Sequence, residues 1–185
     1  MTPGVLPRVT AHATCVVLGE AGVLIRGASG AGKSSLALAL LERARLAGRF
    51  AALVADDRVR LERHHDRLVA RPHPRLAGLI EVRGLGIRQA ADLGCEALGA
   101  CVARLAVDLV EANPRLPEAT AGPARILGLD LPRLVVDRPL RDSGLAPPLV
   151  FAALFAGLFA GAVTRPSVAS QPHSTTTGSA VGRGA

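Results

Sequence analysis

The segment Gly27-Ala28-Ser29-Gly30-Ala31-Gly32-Lys33-Ser34 fits G-x-x-x-x-G-K-[ST], and no other stretch limits so strongly what this chain can fold into. A glycine-rich loop of this kind holds phosphate when a buried strand enters it and a helix leaves it. The backbone N–H groups then converge on one point at the positive end of the helix dipole. Both flanks are present: Val23-Leu24-Ile25-Arg26 reads as the strand, and Ser35-Leu-Ala-Leu-Ala-Leu-Leu-Glu-Arg as the helix. The order predicts an α/β domain in which Gly27 to Ser35 contact a polyphosphate. Lys33 then reaches the β- and γ-phosphates, and the Ser34 hydroxyl holds Mg²⁺. A glycine-rich βα turn that binds nothing is the alternative, and the two flanks argue against it.

The rest of the chain supplies the elements such a domain needs. His12 to Leu18 suggests a strand, Gly19 to Gly22 a turn, and Val23 to Arg26 the hairpin partner. The helix is expected from about Lys33 to Ala47, closed by Gly48. Phe50 to Ala55 is apolar throughout, as a strand in the middle of a sheet is, and runs straight into Asp56-Asp57. Arg58 to Arg63 and Arg67 to Pro72 alternate around a turn at His64 to Asp66. A short helical turn from Pro74 leads into Glu81 to Ile87, and strands are expected near Val102 to Val110 and Leu131 to Asp137. The domain is expected over 8–145, between a short lead (1–7) and an apolar helix (146–164) followed by a polar tail (165–185) rich in Ser, Thr and Gly.

Leu149 to Val163 carries no charge, but about 15 residues fall short of the roughly 20 that cross a bilayer, and Pro147-Pro148 should block extension toward the N-terminus. Phe151, Phe155 and Phe159 recur every four positions, so a helix would align them in a stripe that packs on the domain or on a second subunit. No membrane role is expected.

Composition narrows the function. With four Phe and neither Trp nor Tyr, the chain lacks the side chains of a base-stacking platform, so no nucleic acid is expected as partner. The net charge of +7 is almost all arginine, Lys33 being the only lysine. Cys15, Cys95 and Cys101 are odd in number and lack C-x-x-C spacing, which fits reduced thiols better than a disulfide frame or zinc site. No secretory pattern opens the chain, and the expected compartment is the cytoplasm.

Asp56 and Asp57 end a buried strand one βα unit after the loop, where an open α/β sheet presents its active site. Adjacent strand residues point to opposite faces, so the two carboxylates should divide the work. One would face the phosphates, to hold Mg²⁺ or accept a proton, and the other would anchor a neighbour. Glu81-Val82-Arg83-Gly84-Leu85-Gly86-Ile87 sets two opposite charges before two glycines that can bring backbone close to a ligand. His12 reads, on its own chemistry, as a structural histidine on an apolar strand. His64, His65 and His73 read as surface residues.

Taken together, His12, the loop Gly27 to Ser34, the strand Leu53-Val54-Ala55-Asp56-Asp57-Arg58-Val59 and the signature Leu79 to Ile87 resemble the bacterial HPr kinase/phosphorylases over about residues 8 to 145. The resemblance implies a P-loop kinase domain with a central mixed sheet flanked by helices. It also implies an ATP- and Mg²⁺-dependent kinase of a seryl hydroxyl on HPr, a small carrier protein of the sugar phosphotransferase system, with a phosphorylase activity in reverse. The proton acceptor then maps to Asp57, the phosphate-contacting lysine to Lys33, the magnesium ligands to Ser34 and Glu81, and the histidine to His12. Arg83 to Ile87, with Gly84 and Gly86, fall in a segment used in both directions. Family members assemble as hexamers, which implies a homo-oligomer. The chain departs from the pattern in three places. It begins almost at the histidine, and the expectation is the short form of the family with the catalytic domain only; Arg88-Gln89 follow the signature; and the Gly-Arg-Asn segment that supplies a catalytic arginine is not found, with Arg138 or Arg141 the candidate substitutes. Kinase activity is accordingly better supported than phosphorolysis. The competing expectations are a small-molecule P-loop kinase, which should carry an arginine-rich lid, and a nucleotide-binding sensor without turnover.

Overall fold

An 11-residue strand, β1 (Arg8–Leu18), changes character midway. Its first residues are exposed and its last six are buried. This division follows from its partners in the computed structural model, which describes residues 7–113 and 122–155. Along its first half β1 pairs with β4 (Arg58–His64), and along its second half, on the same side, with β3 (Ala51–Ala55). On its other side lies β2 (Ala21–Gly27), antiparallel from Ala13↔Arg26 to Leu18↔Ala21. Strand β9 (Cys101–Leu109) is shared in the same way. It runs parallel to β2, and on its far side it meets β5 (Arg67–Pro72) early and β12 (Arg133–Val136) late. Because β4 pairs with β5, strands β1, β2, β9, β5 and β4 close into a ring at one end. At the other end the sheet opens into the order β8 (Glu96–Ala97), β3, β1, β2, β9, β12. The sheet is mixed, as expected.

Period-two alternation sends successive side chains to two cores. Val16 and Leu18 of β1, Val23 and Ile25 of β2, and Leu105, Val107 and Leu109 of β9 face helix α1 (Lys33–Leu46) and helix α3 (Ala146–Phe155). Cys15, Val17, Leu24 and Ala106 face the second core, with Val59, Leu61, Leu68 and Ala70 of the ring and with β10 (Ala124–Ile126) and β11 (Leu129–Leu131). One face is thus covered by helices and the other by strands. Cys15 Sγ and Cys101 Sγ lie 3.6 Å apart in the second core as free thiols. The contact with Cys101, reinforced by burial, pushes the Cys15 thiol well above its ordinary range.

Several expectations need adjusting. Strand β3 is apolar not because it is central, for only the two-residue β8 lies beyond it, but because cores press on both of its faces. Helix α1 ends as Gly48 suggests: Gly48 N–H donates to Arg45 O at 3.0 Å and Arg49 N–H to Ala44 O at 2.9 Å, the paired closure that satisfies the last carbonyls. The prolines at 147 and 148 lie inside α3, which begins only one residue before them at Ala146. They occupy its first turn, where the helix needs no N–H from them, and Leu149 N–H donates to Leu145 O at 3.2 Å. Phe151 and Phe155 stack at 5.4 Å between ring centroids, and Arg43 and Arg49 lie over their faces at 5.3 and 4.1 Å. The chain's own α1 and the turn after it thus meet this part of the stripe, although Phe155 stays 38% exposed. Phe159, residues 1–6 of the lead, the end of the apolar segment past Phe155 and the tail over 165–185 lie outside the described residues. Among the described residues no helix is long and apolar enough to cross a membrane.

Candidate active site

The C-terminal ends of the parallel strands meet at one edge of the open sheet. Gly27 of β2 stands opposite Leu109 of β9, and β3 ends directly before Asp56. The P-loop leaves this edge. Gly30 (φ 74°) and Gly32 (φ 88°) hold left-handed backbone, and no protein atom lies within 4 Å of where a Cβ would stand, so the loop turns bare backbone toward open space. The first N–H groups of α1 have no acceptor within the helix until Leu36 N–H donates to Gly32 O at 2.9 Å. No acidic residue occupies that first turn. A polyanion is the ligand such a terminus suits.

Lys33 is buried and folded back over the loop, its Nζ donating to Ala28 O at 2.9 Å, Gly27 O at 3.2 Å and His12 Nε2 at 2.8 Å. Burial holds its ammonium below the ordinary lysine range, against the opposing pull of Asp56 and Asp57. An ammonium can only donate, so His12 Nε2 is the acceptor and the imidazole proton sits on Nδ1, which donates to Asp57 Oδ1 at 2.9 Å. Lys33, His12 and Asp57 thus form one chain of hydrogen bonds.

The two aspartates lie in different surroundings, and not through strand alternation. Asp57 is not a strand residue: it adopts φ 63°, and its carbonyl accepts Ala13 N–H at 3.2 Å. From this left-handed turn its half-exposed carboxylate meets His12. Asp56 is buried and accepts Thr14 Oγ1–H at 2.6 Å, Ser34 Oγ–H at 2.9 and 3.0 Å on its two oxygens, and Glu81 N–H at 2.9 Å. The carboxylate beside Ser34 is therefore that of Asp56. Glu81 is joined to this group through its backbone N–H, while its side chain is exposed. Ser34 Oγ and the Asp56 carboxylate are hard oxygen donors at the mouth of a polyphosphate loop. They fit Mg²⁺, which takes one or two carboxylates and completes its shell with phosphate and water.

The signature Leu79 to Ile87 forms a hairpin of β6 (Leu79–Val82) and β7 (Gly86–Gln89), with Glu81 opposite Ile87. Gly84 and Gly86 make its turn, and Ile80 anchors it in the core. Arg83 at its tip lines a cavity with Gly30 to Gly32 of the P-loop and with Arg138 and Arg141 of α2 (Arg138–Asp142). Ser35 also lines this cavity, on the outer face of α1. His64 pairs with Glu62, His65 sits in the β4–β5 turn, and His73 accepts Arg75 N–H at 3.4 Å; none reaches the site.

Two groups escaped the sequence reading. Thr14 is fully buried on Asp56, and the signal for it is a lone hydroxyl within an apolar strand. Asp108 holds Arg26 Nε at 2.6 Å and Nη2 at 2.7 Å, and Arg133 Nε at 2.5 Å. Only the parallel pairing of β2, β9 and β12 brings these three together, and no local pattern announces it.

A family model described as the HPr Serine kinase C-terminal domain matches residues 5–119. The HPr kinase/phosphorylase of Halalkalibacterium halodurans is 36% identical over 145 residues, covering 74% of this chain and 44% of that protein. That of Mycoplasma mycoides subsp. mycoides SC is 40% identical over 81 residues, covering 44% and 24%. This chain therefore spans less than half the length of either relative. Among solved structures, the Hpr(Ser) kinase/phosphatase from Coxiella burnetii superposes with a TM-score of 0.60 at 26% identity, covering 79% of this chain and 99% of that one.

Proposed function

The chain belongs to the HPr serine kinase C-terminal domain family, and on that premise we propose that it is an ATP-dependent kinase of a seryl hydroxyl on an HPr-like phosphocarrier protein. The observation that carries the reading is the chain Lys33–His12–Asp57, because it ties the P-loop lysine to an accessible carboxylate. In this reading Asp57 accepts the seryl proton as the serine oxygen attacks the γ-phosphorus and the bond to the departing ADP breaks. His12 Nδ1–H holds the accepting carboxylate in place. Lys33 leaves the loop carbonyls for the phosphate, and the N–H groups from Gly30 onward orient the chain of phosphates. When bound, Mg²⁺ would neutralise phosphate charge. Ser34 and Asp56 would hold it, with Glu81, the ligand expected by family resemblance, next to Asp56 in space. Positioning and electrostatics supply most of the rate in such a reaction.

The same reading carries a cytoplasmic location, a homo-oligomer and an 8–145 catalytic unit. The oligomer draws little from Phe151, which packs against the chain's own helical core, while Phe155 keeps 38% of its surface exposed, and light scattering tests it. Phosphorolysis, the reverse reaction, rests on the family alone. Incubating the protein with ATP, Mg²⁺ and a purified HPr-like carrier should give phosphoserine on the carrier, detected by mass spectrometry. ATP binding without any phosphoserine product would leave a nucleotide sensor in its place.

A further inference from the structure

Two thiols meet in the second core, and the transfer of phosphate uses neither. We propose that Cys15 and Cys101 are a reversible modification site, closed to a disulfide by a hydroperoxide and reopened by a thiol reductant.

Placement is the first argument. Strand β2 lies between β1, which carries Cys15, and β9, which carries Cys101. Its residue beside Cys101 is Gly22, where a Cβ would stand 2.7 Å from Cys101 Sγ and displace it. Gly22 does not hold left-handed backbone, so space rather than conformation calls for glycine there. Over this bare backbone the two Sγ atoms come within 3.6 Å. A disulfide of about 2.05 Å then needs an approach of only about 1.5 Å.

Reactivity is the second. Cys15 is fully buried, whereas Cys101, at the start of β9, is partly exposed and meets an oxidant first. The contact with Cys15 also holds the Cys101 thiol below its ordinary range, against the effect of burial, and the thiolate is the reactive form. The Cys101 sulfur attacks one peroxide oxygen and the O–O bond breaks. The departing alcohol, or water when the oxidant is hydrogen peroxide, takes the proton that Cys101 gave up. A sulfenic acid remains on Cys101. The Cys15 sulfur then attacks that of Cys101, the S–O bond breaks, and the oxygen leaves as water with the Cys15 proton. The two sulfurs lose two electrons and the peroxide gains them. Reopening consumes two molecules of a thiol, which become a disulfide in turn.

The bond acts on the strand that carries the site. Cys15 follows Thr14, which holds Asp56 at 2.6 Å, and stands opposite Ala55, the residue before Asp56. His12 lies earlier on the same strand. A displacement of about 1 Å in groups that position a reaction can cost about 10²-fold in rate, so the oxidised protein should transfer phosphate at least about tenfold more slowly. That slowing rests on the kinase reading, and the bond itself does not.

Treatment of the unmodified protein with hydrogen peroxide, then with dithiothreitol, tests the site. Its intact mass should fall by two hydrogens and return on reduction, and peptide mapping without reductant should join Cys15 to Cys101. No link, a link through Cys95, or added oxygen without a link would overturn the site. Cys101→Ser should transfer phosphate equally well before and after peroxide, while wild type slows and recovers with dithiothreitol. Equal slowing of both proteins, or linked wild type at an unchanged rate, would overturn the action on β1 and leave the bond. Reduced wild type that transfers no phosphate to the carrier would refute the kinase reading, with mass and mapping still deciding the bond.

Discussion

Replacing Asp56 by alanine tests whether this buried carboxylate supports the fold in a way that Asp57, the proposed proton acceptor, does not. Asp56 is buried and receives Thr14 and Ser34 hydroxyls and the Glu81 N–H. Thr14 is wholly buried, so its hydroxyl is left without a partner, a loss of about 1–3 kcal/mol. Ser34 and Glu81 stand at the rim of the site, where water replaces part of what they lose. Lys33 loses one of the two carboxylates that offset its burial. Together these give about 2–4 kcal/mol. At roughly 3 °C per kcal/mol for a domain of this size, the melting temperature without nucleotide should fall by about 6–12 °C. Asp57→Asn is the comparison, because Asp57 and His12 are 52% and 50% exposed, and an exposed pair contributes about 0–1 kcal/mol. Its melting temperature should stay within about 3 °C of wild type. Differential scanning fluorimetry of the two proteins suffices. Equal losses, or a larger loss for Asp57→Asn, would refute the division of roles.

Asp108→Ala should cost about 2–3 kcal/mol in urea denaturation, since Arg26 and Arg133 lose their shared carboxylate while about a third exposed, where water offsets part of the loss. An unchanged midpoint would show that the trio contributes nothing to stability. Gly22→Ala should destabilise by about 1–3 kcal/mol or more, because its Cβ would stand 2.5 Å from Val102 O and 2.7 Å from Cys101 Sγ; a wild-type melting temperature would contradict that packing. Glu62 is held below the ordinary carboxylate range by its hydrogen bond to His64, then by Arg71 and Arg60. Its folded pKa is depressed, so its stabilisation is present above the unfolded value of about 4.3 and disappears as pH falls through the folded value. Glu62→Gln should therefore lower the urea midpoint at about pH 7 and converge on wild type as pH falls through the depressed folded value, whereas a constant gap would deny the shift.

How legible the site was depended on the range of the interactions. The P-loop, its flanking strand and helix, and the Asp56-Asp57 pair could be read locally, because bare backbone and a charge at the end of an apolar strand leave a local mark. His12 was different: its link to Lys33 spans 21 positions, and only the pairing of β1 with β2 closes it. The ring of five strands was not legible, since it depends on β1 and β9 each dividing one side between two partners. Nothing in their alternation marks where one partner gives way to the next. The prolines of α3 mark where the helix starts, and they lie within its first turn because that turn does not need their N–H groups.

Single-turnover transfer from ATP to a purified HPr-like carrier by Asp57→Asn protein, with ATP affinity measured on the same preparation, tests the central claim most directly. The amide that replaces the carboxylate keeps the size of the side chain and cannot accept the proton. The account predicts near wild-type ATP affinity and a rate lower by about two to four orders of magnitude. A rate within about tenfold of wild type at unchanged ATP affinity would show that Asp57 is not the acceptor.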